Sequence, residues 1–190
     1  MSVIPIREIG DPALRRPTRP VERHELASDS CQRFIDDLVE TMRHAGGAGI
    51  AANQVGDGRR ICAIEIADNP RYPYKPAHPL TILVNPVMAW RSEETYWNNE
   101  GCLSVPDLRG DLHRSIEVHV RAWDRDGVSV EHRFRGLTAG TAQHELDHLD
   151  GGLFVDRVED TRTLATWRQF DLHQKDRFTE HIRRVVEETT

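Results

Sequence analysis

GLTAGTAQHELDHLDGG, residues 136–152, decides how the rest of the chain is read. Its centre is His144-Glu145-Leu146-Asp147-His148, an H-E-x-x-H run. Leu137 to Leu149 has helical character, and Gly151-Gly152 ends it. Residues four apart on a helix share a face, with Cβ atoms about 5–6 Å apart. Two imidazoles so placed can reach one divalent ion at roughly 2.0–2.1 Å each. Glu145 sits beside that face, within reach of a water that the ion activates, without being a ligand.

A catalytic site of this kind needs a third protein ligand and an open position for water. One known extension of the motif places a glycine and then a histidine downstream. Gly151 occupies the glycine place, but Phe154 stands where that histidine belongs, which disfavours the corresponding protease class. Asp156 and Glu159 are downstream alternatives. Upstream, Glu100-Gly101-Cys102-Leu103-Ser104 offers a cysteine flanked by small residues. A thiolate with two imidazoles suits Fe(II), Zn(II), Ni(II) or Co(II). A lone cysteine is also a common small core residue.

Outward from these segments, the pattern is strands with flanking helices. Asp11 to Arg15 makes one helical turn with Pro12 at its first position. Asp29 to His44 is an amphipathic helix whose apolar face is Phe34, Ile35, Leu38, Val39 and Met42. Gly46, Gly47 and Gly49 end it and open a tight turn. Strands are expected at Arg60–Ala67, at Thr81–Val84 with a stop at Asn85-Pro86, at Ser115–Trp123 and at Val128–Phe134. Asp126-Gly127 signals a two-residue hairpin turn between the last two. The proline-rich stretch Asp68–Pro79 reads as a loop, and Arg162–Glu188 as one long polar helix. The fold class is α+β, in a single domain spanning 1–190.

Composition narrows the function. The chain has 190 residues, 38% hydrophobic, and a formal net charge of −6. That charge argues against direct nucleic-acid binding, which needs a basic face. No apolar run approaches the roughly 20 residues of a membrane span. The N-terminal residues carry no signal or transit pattern, so a cytoplasmic protein is expected. Cys31, Cys62 and Cys102 are an odd, unpaired set and read as free thiols.

Gly47-Ala48-Gly49-Ile50-Ala51-Ala52-Asn53-Gln54 is a further glycine-rich stretch whose spacing fits neither phosphate-binding fingerprint. GAGIAANQ (47–54), EGCLS (100–104) and QHELDH (143–148) together resemble the three signatures of the peptide deformylase family. The resemblance runs from Ile6 through Asp11-Pro12 to Leu153–Asp156. It implies a peptide-deformylase-like α+β fold, with mixed or antiparallel sheets around the H-E-x-x-H helix and a C-terminal helix at about 162–188. It implies one metal ion per chain, Fe(II) with Zn(II), Ni(II) or Co(II) as substitutes. Cys102, His144 and His148 match the family's ligands and Glu145 its general acid/base. Gln54 and the backbone N–H of Leu103 match its oxyanion stabilisers. Gly47, Gly49 and Gly101 match places where backbone lies against the substrate. The implied reaction removes the N-formyl group from the formyl-methionine of nascent polypeptides and releases formate. A different N-formyl substrate, or a silent metal-binding relative, is the alternative.

The same comparison of residues exposes departures. Gly140 and Thr141 stand where larger apolar residues are usual, as do Ala48 and Asn98. With Leu137, these positions are expected at the substrate's side-chain pocket. Glycine inside a helix costs about 1 kcal/mol relative to alanine, so Gly140 needs a reason. Close backbone packing is one; a wider or more polar pocket, with weaker selection for formyl-Met, is the other. Arg109 and Arg114 match family arginines that are structural or hold the substrate backbone. Partners implied by the resemblance are a formylated nascent peptide and, through it, proximity to the ribosome. Lys175, Arg177, Arg183 and Arg184 are balanced by Asp176, Glu180, Glu187 and Glu188, so the C-terminal charges add nothing to that.

Overall fold

The structure is a computed structural model that describes residues 2–67 and 76–189. A short helix, α1 (Arg23–Leu26), precedes α2 (Asp29–His44). Ser28 caps α2 by accepting the Cys31 N–H at 3.2 Å. Cys31, Ile35, Leu38, Val39 and Met42 are the buried face, and Phe34 packs at its margin. Asp11 caps the predicted turn at Pro12–Arg15 by accepting the Ala13 N–H.

Five strands form an antiparallel sheet in the order β1-β2-β3-β6-β7. They are β1 (Gly49–Ala51), β2 (Ile61–Ile66), β3 (His78–Arg91), β6 (Glu117–Trp123) and β7 (Ser129–Arg135). Between β3 and β6 the chain makes a second, two-stranded sheet, β4 (Thr95–Cys102) with β5 (Val105–Ser115). Every pairing between these strands is antiparallel. The helix α3 (Gly136–Leu149) carries the H-E-x-x-H run.

Burial on both faces explains the continuous apolar run of β2. Ile61 and Ala63 pack with α2, whereas Cys62 and Ile64 face Ala139, Ala142, Leu146 and Leu149 of α3. Val118, Val120 and Ala122 of β6 join that second cluster. The sheet is therefore sandwiched between α2 and α3, and the β4–β5 hairpin meets α3 from another side.

Four expectations need correction. The strand at Thr81–Val84 does not stop at Asn85-Pro86. It continues as β3, with a register shift between Val84 and Val87. Asn85 takes the left-handed conformation there, at φ 52°, which asparagine tolerates. Its amide is fixed to the backbone N–H and C=O of Val21, at 2.8 and 2.9 Å. Second, Ser115–Trp123 is not one strand: the chain leaves the hairpin at Ser115 and enters the large sheet at Glu117. Ile116 accordingly packs with the C-terminal aromatic cluster, apart from Val118 and Val120. Third, the β6–β7 turn is longer than two residues, running 124–128 between Trp123 and Ser129. The Asp124 carboxylate organises it by accepting the N–H groups of Asp126 and Val128.

Fourth, the long C-terminal helix is broken. A 3₁₀ turn at Thr161–Thr163 is followed by α4 (Trp167–His173) and α5 (Lys175–Thr189). Phe170 and Phe178 pack edge to face with centroids 5.7 Å apart. Eight residues on a straight helix would be about 12 Å apart along the axis. The break at Gln174 lets both rings enter one cluster with Tyr96, Leu137, Ile182 and Val185. The loop expected at 68–79 lies at 68–75 outside the described residues, and His78–Pro79 already belong to β3. Among the described residues no helix is long and apolar enough to cross a membrane.

Candidate metal centre

The helical period of α3 sets His144 and His148 one turn apart on one face. Cys102 ends β4, and the β4–β5 turn brings it over that face. The Cys102 Sγ lies 3.2 Å from His148 Nε2, which lies 3.2 Å from His144 Nε2. The three donor atoms are all within 4.8 Å of one another. Ligands at roughly 2.0–2.3 Å from one tetrahedral ion are themselves about 3.3–3.7 Å apart, so the cluster has the size a single ion needs.

The surroundings suit a sulfur acceptor at Cys102 and a neutral imidazole at His148. The Ser104 N–H donates to Cys102 Sγ at 3.3 Å. Gln54 Nε2 approaches the same sulfur at 3.6 Å. His144 Nδ1 bonds Glu100 Oε2 at 2.8 Å, which leaves Nε2 directed to the cluster. Burial would raise the Glu100 carboxyl, but the Arg114 guanidinium overrides it and holds Glu100 well below the usual carboxylate range. Arg114 grips both Glu100 oxygens at 2.8 Å and reaches Asp147 at 2.6 Å. Arg114 is thus a structural brace behind His144. His148, 1% exposed, is pushed well below its ordinary range by burial and by His144 beside it.

Glu145 is 3% exposed and turns toward the Gly47–Gly49 loop. A Cβ on Gly49 would come within 2.7 Å of Glu145 Cδ and 2.8 Å of its Cγ. The loop backbone can approach the carboxylate only because that side chain is absent. Gly49→Ala is expected to displace Glu145 and lower turnover by about 100-fold, as misplacement by about 1 Å can. Metal content should stay at the parent level. Kinetics and elemental analysis of the variant check this, and parent-like turnover would rule it out.

Gln54 is fixed at both ends: its Oε1 accepts the Ala51 N–H at 2.8 Å and its Nε2 donates to Ser104 Oγ at 3.0 Å. Leu103 occupies the turn between β4 and β5. A cavity of ≈ 100 Å³ opens in front of the cluster. Gly47, Ala48, Gly49 and Gln54 line one side; Asn98, Gly101, Cys102, Leu103 and Arg109 line another. Gly140, Thr141, His144 and Glu145 complete the α3 wall.

Leu137 does not line the cavity. One turn before Thr141, it is buried with Tyr96, Phe170 and Phe178. The downstream alternatives for the third ligand are engaged elsewhere. Asp156 pairs with Arg15 and accepts the Leu153 N–H, and Glu159 meets His113 at 3.2 Å. Phe154 stacks near His144, with centroids 6.5 Å apart.

Gly140 has a packing reason. A Cβ there would overlap the hydroxyl of Tyr96, so the tyrosine fills the space a larger residue would take. That hydroxyl is buried with no hydrogen-bond partner among the described residues. Without the overlap, Gly140→Ala would stabilise the helix by about 1 kcal/mol. With it, a loss of about 1–3 kcal/mol is expected from overpacking, most of it recovered by adding Tyr96→Phe. Denaturant unfolding reads the sign directly, and a stabilised single variant would refute the packing reason.

Four cavity residues carried no sequence expectation: Asn99, Glu100, Trp167 and Phe178. Glu100 was legible in principle. It lies two before Cys102, and alternate residues of a strand share a face. Trp167 and Phe178 arrive from distant elements, and no local pattern marks them.

A protein-family model described as polypeptide deformylase matches residues 3–163. Peptide deformylase 1 of Bordetella pertussis is 42% identical over 155 residues, covering 82% of this chain and 87% of that protein. Peptide deformylase 1 of Prochlorococcus marinus is 41% identical over 166 residues, covering 87% and 85%. The Met-Ala-Ser-bound crystal structure of a class I type b peptide deformylase from Acinetobacter baumannii is similar at a TM-score of 0.81 and 40% identity, covering 83% of this chain and 100% of that one. The actinonin complex of a peptide deformylase from Synechococcus elongatus is similar at a TM-score of 0.75 and 33% identity, covering 84% and 81%.

Proposed function

This chain belongs to the polypeptide deformylase family, and on that premise we propose that Cys102, His144 and His148 hold its metal ion while Glu145 moves the protons of hydrolysis. It is a metal-dependent hydrolase that removes the formyl group from the N-terminus of nascent peptides. The observation that carries the residue assignment is the convergence of one sulfur and two ring nitrogens within 4.8 Å.

When bound, the ion supplies Lewis-acid polarisation and a water acidic enough to lose a proton near neutrality. Glu145 accepts that proton as the water oxygen adds to the formyl carbon. The Gln54 amide, held by Ala51 and Ser104, and the Leu103 N–H face the charge that develops on the formyl oxygen. One such donor is typically worth about 2.7–4 kcal/mol. Glu145 then delivers the proton to the departing nitrogen, the C–N bond breaks, and formate and a free amine result. Among the described residues β1 is an edge strand, paired with β2 alone. Its second edge supports docking of the extended peptide through main-chain hydrogen bonds, with Gly47, Gly49 and Gly101 as close-approach points.

We assign the ion as Fe(II), one per chain, with Zn(II), Ni(II) or Co(II) as substitutes, because a thiolate with two imidazoles suits these metals. The proposed setting is the cytoplasm near the ribosome, where formylated N-termini emerge. Protein loaded anaerobically with Fe(II) is expected to release one formate per free amine from a formyl-Met tripeptide, and chelator-treated protein to release none until the ion is restored. Absence of formate from the reloaded protein would refute the assignment.

A further inference from the structure

The family match ends at residue 163, yet two side chains from beyond it, Trp167 and Phe178, line the catalytic cavity. We propose that Trp167 and Phe178 are specificity-determining residues, so that the C-terminal segment forms part of the substrate-binding wall. The proposal rests on the deformylase reading of the site.

The segment is fixed at the cavity rim by main-chain pairing. Arg109 and Ala165 exchange N–H···O bonds at 2.8 and 2.9 Å. The Trp167 N–H donates to Asp107 Oδ1 at 3.2 Å. Its indole then covers the Arg109 guanidinium at 4.0 Å, with Phe170 against the same group at 4.4 Å. Arg109 is only 1% exposed and donates to Asn99 through Nε and Nη2, both at 2.7 Å. A Cβ on Gly101 would meet Trp167 Cζ2 at 3.5 Å. The edge of the indole therefore lies against the backbone one residue from Cys102.

Phe178 is held from α5. Its ring packs edge to face on Trp97 at 5.5 Å and on Phe170 at 5.7 Å, and it is 1% exposed. It borders the cavity together with Asn98, Gly140 and Thr141, which sit about one turn before His144 on α3 or across from it on β4. Gly140 presents no side chain, and the Tyr96 hydroxyl occupies the space beside it. The Phe178 ring bounds that end of the cavity while only 1% exposed, so its bulk rather than an open surface limits a side chain entering there. Trp167 and Phe178 are the two largest apolar side chains among the described residues that line the cavity. Ring size at these positions thus limits what the cavity accepts.

The test uses the full chain loaded with Fe(II), and reads the ratio of kcat/KM on a formyl-Phe tripeptide to that on a formyl-Met tripeptide. Phe178→Leu is expected to shift the ratio toward the bulkier side chain by about tenfold, the scale of one or two methylene-sized contacts. Trp167→Ala, at a half-buried position outside the Phe178 cluster, is a second arm that does not depend on the Phe178 variant folding. It is expected to shift the ratio by about fivefold. A ratio that stays at the parent value in both variants, including the case where both peptides slow equally, overturns the proposal and leaves the rings a purely structural role. A parent protein inactive on every formyl peptide would reject the deformylase reading and this proposal with it, whereas an active parent with unchanged ratios rejects the proposal alone.

Discussion

Glu145→Ala is expected to lower kcat/KM for formyl-Met peptides by about 10²–10⁴-fold while the protein keeps one ion per chain. The range is that of a positioned general acid/base. The retention of metal follows from geometry, because Glu145 is not among the three donors that converge within 4.8 Å. Glu145→Gln is expected to behave alike, since an amide keeps the shape but cannot take the proton. Steady-state kinetics with elemental analysis on the same sample separates the two effects. Near-parent turnover by the alanine variant would remove Glu145 from the mechanism, and loss of metal would make it a ligand instead.

The second large effect is on metal binding. Cys102→Ala is expected to abolish retention of the ion through gel filtration, and activity with it. Outer partners of metal ligands typically contribute about 10–100-fold in affinity, and loss of a direct ligand should exceed that. The two imidazoles would remain in place, because His144 is tied to Glu100 at 2.8 Å and both lie on α3. The variant should therefore still fold, with some loss where Ser104 N–H and Gln54 Nε2 no longer find the sulfur. Co(II)-substituted parent protein should show thiolate-to-cobalt absorption that the variant lacks. Full occupancy in the variant would remove the thiolate from the assignment.

Glu100 links this site to the rest of the molecule. Its carboxylate joins His144 to Arg114, and Arg114 continues to Asp147, three residues after His144 on α3. A buried charge needs such compensation, because an unpaired one costs far more than any contact returns. The brace also explains why Asp147, inside the H-E-x-x-H run, is no ligand: it faces Arg114 and Arg157.

Local chemistry carried much of this in the sequence. The four-residue spacing of His144 and His148 fixes them on one face of any helix. The apolar stripe Phe34, Ile35, Leu38, Val39 and Met42 marks α2, and the alternation of Val118, Val120 and Ala122 marks a half-covered strand. Three short segments in order were enough to indicate which cysteine lies beside the two histidines. Tertiary structure alone decided what depends on distant chain segments meeting. Whether Gly140 widens a pocket or seats a tyrosine turned on Tyr96, 44 positions earlier by the numbering. The break at Gln174 turned on two phenylalanines sharing one cluster, and the cavity wall at Trp167 and Phe178 on that break. Periodicity reports which face of an element is apolar, through the geometry of the backbone itself. It carries no information about which side chain, far along the chain, comes to rest against that face.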